Sequence, residues 1–234
     1  MDKNLWVFGD SFTASFKLQK EGEISYDYVK YKGYSPKVFS EIISETININ
    51  LIDKSLSGTC NQTIFHSFIE NINNINDEDI VIFGWTQNMR FNAATKDNAL
   101  FPILIGGANE NIYHFIDIPF ESLVNISINR LKYSVFWVEV TDYIKVINHI
   151  LKNNLVYHWT WVEPSNEYEL SKGNYQKEFY DLLVPFKKRP SITIETNNNV
   201  DDFHWGEEAH KDFASEILNY IGLTKNFKNK NFKK

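Results

Sequence analysis

The chain has 234 residues, 43% of them hydrophobic and 23% charged, which suits one globular domain that closes its own core. A formal charge of −6 argues against general nucleic-acid binding. No run approaches the roughly 18 apolar residues of a membrane span, and the single cysteine, Cys60, excludes an internal disulfide framework and a Cys-based zinc site.

Apolar runs of four to eight residues alternate with longer helix-like stretches, the pattern of βαβ units around a parallel sheet. The first run, Leu5 to Phe8, begins so close to Met1 that no secretory signal peptide is expected. Gly9-Asp10-Ser11 follows it at once, and residues 12–34 read as a loop with little regular structure. Ser35-Pro36 is expected to open a helix with Val38, Phe39, Ile42 and Ile43 as its apolar stripe. A second strand is expected over Ile47 to Ile52. Leu56-Ser57-Gly58-Thr59 then makes a turn, and Asn61 reads as the cap of a helix carrying Ile64, Phe65, Phe68, Ile69 and Ile72. Ile80 to Phe83 is a buried-strand run ending at Gly84.

Residues 85–120 show no steady period and read as an insertion of the kind that carries function. A helix is expected over most of 121–152, a strand from Leu155 to Val162, a shorter one from Ser191 to Ile194, and a last helix from about Gly206 to Ile221. The domain thus spans 1–222, and residues 223–234 form a Lys-rich tail expected to be flexible.

Four polar blocks stand at the ends of these runs. Gly9-Asp10-Ser11 follows the first strand, Gly58 the second and Gly84-Trp85-Thr86-Gln87-Asn88 the third, while Asp201-Asp202-Phe203-His204 precedes the last helix. In an open parallel sheet, ligands bind beyond the carboxyl ends of the strands, so these blocks converge. The chemistry that fits is nucleophilic acyl transfer. Ser11 is the candidate nucleophile, His204 the base that takes its proton, and Asp201 the acid that orients the imidazole, with Asp202 its competitor. The backbone N–H groups of Ser11 and Gly58 and a side chain after the third strand would hold the oxyanion. At position 58 a residue without Cβ lets the backbone approach the tetrahedral intermediate.

These blocks resemble the SGNH (GDSL-type) hydrolase family, and the resemblance covers nearly the whole chain. It implies a flavodoxin-like three-layer α/β/α fold with a parallel sheet and ester hydrolysis by Ser11, His204 and Asp201 with Gly58 in the oxyanion hole; no cofactor is expected. One block departs from the pattern. The family's third block is Gly-x-Asn-Asp, whereas here Thr86 occupies the Asn position, leaving Thr86, Gln87 and Asn88 as alternative oxyanion donors. Gly-Trp-Thr followed by Arg90 resembles a variant found in phage-encoded members.

Other residues have an ordinary reading beside a functional one. Trp85, His158 and Trp205 either line the pocket or belong to the core. Arg90, one of three arginines, either makes an ordinary surface ion pair or clamps a carboxylate or phosphate on the substrate. His210 reads as a partly exposed helix residue. His66, His114 and His149 lack ligand spacing, so no metal is expected.

The expected function is therefore a serine esterase acting on a small acyl ester, an O-acetyl group on a carbohydrate above all. The alternatives are an O-acyltransferase and a non-catalytic glycan-binding module on the same scaffold. The expected partner is the acylated substrate, with no nucleic acid or membrane. Segment 91–120 would serve as a lid or an oligomer contact, and a cytoplasmic or virion-associated setting is expected.

Overall fold

The computed structural model describes residues 3–18, 24–86, 90–94, 100–104, 135–161, 175–183 and 205–222, with single positions at 122, 125 and 126. In chain order the elements are β1 (Asn4–Phe8), α1 (Ile24–Lys32), α2 (Phe39–Ile47), β2 (Asn50–Asp53), α3 (Asn61–Asn71), β3 (Ile80–Trp85), β4 (Arg90–Ala94) and β5 (Leu100–Leu104). They continue with α4 (Val135–Ile150), β6 (Leu155–Thr160), α5 (Tyr175–Asp181) and α6 (Glu207–Tyr220).

Four strands form one wholly parallel sheet in the order β2-β1-β3-β6. Side chains alternate across it, as the period of two requires. Leu5, Val7, Ile80, Ile82, Tyr157 and Trp159 face one layer, where they pack with Phe39 and Ile43 of α2 and with Phe213, Ala214 and Ile217 of α6. Trp6, Phe8, Val81, Phe83 and Trp85 face the other, against Ile64 and Phe68 of α3, Val140 and Ile144 of α4, and Phe179 of α5. Both faces of β1 and β3 are covered, so these two strands read as nearly unbroken apolar runs. The result is a mixed α/β, three-layer α/β/α domain of the flavodoxin type.

Right-handed crossovers explain the layering. The chain leaves β1 in one direction for β2, then passes back over β1 to reach β3, so α2 and α3 fall on opposite faces. The reversal makes the carboxyl end of β1, beside β3, the switch point where ligands bind in such sheets.

The amino edge is tied by Asp79, which is 1% exposed. Its carboxylate accepts from the Asn4 amide at 2.8 Å, the Trp6 indole N–H at 2.9 Å and the Asn76 amide at 3.0 Å.

Several expectations need correction. Residues 24–32, taken as loop, form α1. Its sequence is weakly amphipathic, and tertiary contacts hold it: Tyr28 packs on Phe16 and Val38, and its hydroxyl accepts the Glu207 amide at 2.9 Å. The helix expected from Ser35-Pro36 starts at Phe39, because the Glu41 carboxylate turns back to accept the Val38 amide at 3.1 Å. Within 85–120, β4 and β5 pair antiparallel, Arg90 opposite Leu104. The second strand is shorter than expected, and the strand after α4 ends at Thr160. The helix expected over 121–152 is described over 135–150, while the strand expected at 191–194 and the 223–234 tail lie outside the described residues. No helix among the described residues is long and apolar enough to cross a membrane.

Candidate active site

Parallel pairing brings the carboxyl ends of β1, β2, β3 and β6 to one edge: Val7 lies opposite Asp53, Phe8 opposite Phe83, and Trp85 opposite Thr160. Beyond β1 the chain turns sharply. The amides of Thr13 and Ala14 both donate to the Asp10 carbonyl, at 2.9 and 3.0 Å, and the Phe12 amide donates to Asp10 Oδ1 at 3.0 Å. Asp10 and Phe12 are buried, and Ser11 between them is partly exposed at the crest.

A packing feature locks this turn. Thr13, fully buried, is wedged between Gly9 and Gly84. A methyl group on Gly84 would collide with Thr13 Oγ1 and stand 2.9 Å from Trp159 Cζ2. The glycine of the third block thus makes room for the turn that carries Ser11.

The loop after β2 runs alongside. Lys54 donates its amide to the Val7 carbonyl at 2.8 Å and Leu56 to the Gly9 carbonyl at 2.9 Å, extending the ladder past the strand ends. Gly58 follows with φ +75°, a left-handed conformation that disfavours any side chain. An added Cβ there would meet nothing within 4 Å. The backbone conformation therefore accounts for this glycine, and its Cα faces open space.

Thr86 follows β3 and is fully buried. Asn61 is not a helix cap: it is the first residue of α3, which has Cys60 at its cap position. Its side chain instead clamps the Thr86 peptide groups, Oδ1 accepting the Thr86 amide at 2.8 Å and Nδ2 donating to the Thr86 carbonyl at 3.0 Å. Arg90 is not at the surface either. Its Nη1 lies 3.3 Å from Thr86 Oγ1, 3.4 Å from the Thr59 carbonyl and 3.6 Å from Asp10 Oδ2, with 15% of its side chain exposed. One guanidinium thereby touches the loops after β1, β2 and β3.

The end of β6 adds Trp161, half-buried, whose indole N–H donates to Asp10 Oδ2 at 2.8 Å and whose ring stacks on Phe12 at 4.4 Å. Phe12 also meets Trp205 edge to face, at 6.0 Å between centroids. The sequence neighbours of Ser11 and His204 are thus in contact.

The structure gives the core reading to three candidate substrate contacts. Trp85 is fully buried and stacked on Phe83 and His158. Trp205 packs on Trp159 and Phe213. His158 is 2% exposed, with Nδ1 accepting from the Trp85 indole at 3.2 Å. Its Nε2 therefore carries the proton and donates to Asn148 Oδ1 at 3.1 Å. Burial lowers its pKa to about 3, and with both ring nitrogens hydrogen-bonded inside the core the ring is a structural group. His210, expected to be partly exposed, is 2% exposed and its Nδ1 accepts the Phe39 amide at 3.3 Å.

Gln87, Asn88, Asp201 and His204 lie outside the described residues. Among the described residues, no three His, Cys, Asp or Glu side chains group as ligands for a metal ion. The sequence did not point to Asn61, Thr13 and Trp161 as site residues. Asn61 reads as a helix cap, Thr13 as part of the loop over 12–34 and Trp161 as part of the strand from Leu155 to Val162.

No protein-family model matches the sequence, and no curated protein does. Solved structures similar to the chain include esterases and GDSL-like lipases. One is the psychrotrophic esterase EstA from Pseudoalteromonas sp., 15% identical over 96% of this chain and 100% of that one, with a TM-score of 0.46. Another is a GDSL-like lipase candidate from Bacteroides uniformis, 12% identical over 94% and 96%, TM-score 0.46. A third is a carbohydrate esterase whose active site has divergent catalytic and non-catalytic binding functions, 12% identical over 94% of this chain and 68% of that one, TM-score 0.47. At these scores the likeness carries no chemistry, and the fold rests on the strand order and layers above.

Proposed function

We propose that the protein is a serine ester hydrolase that removes small acyl groups, O-acetyl on a carbohydrate in particular. In this mechanism Ser11 Oγ attacks the ester carbonyl while His204 accepts its proton and Asp201 holds the imidazole in the right tautomer. The ester C–O bond then breaks, with His204 returning the proton to the leaving alcohol. Water activated by the same imidazole releases the acid. The backbone amides of Ser11 and Gly58 face the oxyanion together with a third donor from the segment after β3.

The observation that carries this reading is the contact of Phe12 with Trp205, at a switch point that also gathers the Gly58 and Thr86 loops. It ties the backbone next to Ser11 to the backbone next to His204 across almost the full length of the chain. A carbohydrate substrate is supported by the family resemblance and by the half-buried Trp161 ring beside Phe12, since flat aromatic faces suit sugar rings.

The test is turnover of p-nitrophenyl acetate by wild type and by Ser11→Ala, followed by acetate release from acetylated sugars. Wild-type hydrolysis abolished in Ser11→Ala is expected. Two proteins equal to the buffer blank would end the esterase reading and leave a glycan-holding module. Acetyl transfer to an added sugar in preference to water would make the protein an O-acyltransferase.

A further inference from the structure

We propose that the Arg90 guanidinium is the third oxyanion donor, taking the place of the side-chain amide that the Thr86 position lacks. This rests on the esterase reading above and specifies its least determined part.

Arg90 begins β4, four residues after Thr86, and reaches back into the site. Its Nη1 is within 3.3–3.6 Å of Thr86 Oγ1, the Thr59 carbonyl and Asp10 Oδ2. Those three residues belong to the three loops that an oxyanion hole draws on. Thr59 is the immediate neighbour of Gly58, and Asp10 that of Ser11. Both hydrogen bonds and the ion-pair contact with Asp10 fall on one nitrogen. Arginine has five N–H donors in a rigid fork, so Nη2 and Nε keep theirs, and no acceptor among the described residues meets them.

Exposure separates Arg90 from Thr86. Thr86 is fully buried and Asp10 likewise, while the Arg90 side chain is 15% exposed. Because arginine only donates, the Thr86 hydroxyl accepts, and it holds the guanidinium in place. Arg90 is therefore the member of this cluster that can meet a substrate oxygen. Asp10 balances its charge in the resting site. When Ser11 adds to the carbonyl, the π electrons move onto oxygen and the new anion faces a fixed, charged donor. No proton leaves the guanidinium, and collapse of the adduct restores the carbonyl. Charge-assisted hydrogen bonds of this kind are the stronger class.

The experiment compares Arg90→Met, Arg90→Ala and Thr86→Val on a neutral ester, p-nitrophenyl acetate, and an anionic one, mono-p-nitrophenyl succinate, with Ser11→Ala as the blank. Arg90→Met should lower kcat about 10²–10³-fold on both esters with KM little changed. Thr86→Val should lose roughly tenfold or less, since it removes only one support of the guanidinium. Added ethylguanidinium should restore part of the Arg90→Ala rate. If Arg90→Met fails to fold, that rescue and Arg90→Gln are read instead.

An Arg90→Met rate within a few fold of wild type would overturn the assignment. A Thr86→Val loss as deep as that of Arg90→Met would make the threonine hydroxyl the donor. A loss confined to KM for the anionic ester would make Arg90 a clamp for substrate charge. Wild-type inactivity would remove the esterase reading itself, and this assignment with it.

Discussion

Gly84→Ala tests the packing that sets the nucleophile's turn. The new methyl would collide with Thr13 Oγ1 and stand 2.9 Å from Trp159 Cζ2 and 3.0 Å from Cε2, where carbon contacts are comfortable near 3.5–4.0 Å. Neither neighbour can retreat. Thr13 is fully buried, its amide is bound to the Asp10 carbonyl, and its Cβ already lies 2.6 Å from where a Gly9 methyl would be. Trp159 is 1% exposed and enclosed by Phe39, Phe213 and Trp205. Overpacking usually costs about 1–3 kcal/mol, and with both walls rigid the upper end applies, about 3 kcal/mol. For a domain of this size that lowers Tm by roughly 6–12 °C. Thr13→Ala removes a buried hydroxyl that has no hydrogen-bond partner among the described residues and opens space, at a cost of about 1 kcal/mol. The double variant should therefore be more stable than the sum of the singles predicts, by about 1–2 kcal/mol, measured by urea unfolding. Esterase activity of Gly84→Ala should fall as well, because the displaced residue closes the Ser11 turn. Unfolding of Gly84→Ala within about 0.5 kcal/mol of wild type, or strictly additive singles, would refute the reasoning.

Other measurements address different parts of the molecule. His158 has a folded pKa of about 3 against an ordinary 6.5, so acid protonates the unfolded chain first. Its contribution is complete above about pH 6.5 and is lost as pH falls toward 3. This removes about 2 kcal/mol between pH 7 and pH 4.5, and the extra slope should vanish in His158→Gln, measured by urea unfolding at both pH values. Asp79→Ala orphans the Trp6 indole N–H and two amides at the amino edge of the sheet and should cost about 3 kcal/mol, while Asp79→Asn, which keeps one acceptor oxygen, should cost less. For catalysis, kcat/KM should rise with pH through an apparent pKa of about 6–7 as His204 loses its proton, and a profile flat from pH 5 to 8 would remove a neutral imidazole base.

How far these elements could be read from the chain differs from one to the next. β1 and β3 are plain because strands covered on both faces are nearly continuous apolar runs, such as Leu5-Trp6-Val7-Phe8 and Ile80-Val81-Ile82-Phe83. The order of Ser11, Gly58 and Thr86 at strand ends followed from that. α1 was hidden because its stripe is interrupted by lysines and tyrosines, and a hydroxyl–amide contact 179 residues away holds it. The start of α2 was misplaced because Ser35-Pro36 is a good local signal that loses to the Glu41–Val38 contact. At the site, Asn61 has the same local sequence whether it caps its own helix or clamps Thr86, and only the arrival of β3 decides between them. Arg90 and His158 carry the same lesson. A lone arginine or histidine reads alike in solvent and in a packed cluster until its neighbours are known.

The Tyr28 hydroxyl has a consequence for how this domain can be cut or recombined. It receives the first amide of α6, and Tyr34 and Lys32 hold the Glu207 carboxylate at the same helix start. Residues 24–34 thus act as a splint, joining the leading third of the polypeptide to α6. A shortened version that kept the sheet and the strand-end loops but omitted this splint would leave the start of that helix without these ties, although Phe213, Ala214 and Ile217 still pack on the sheet. Grafts between distant relatives should therefore exchange the splint and the terminal helix as one unit.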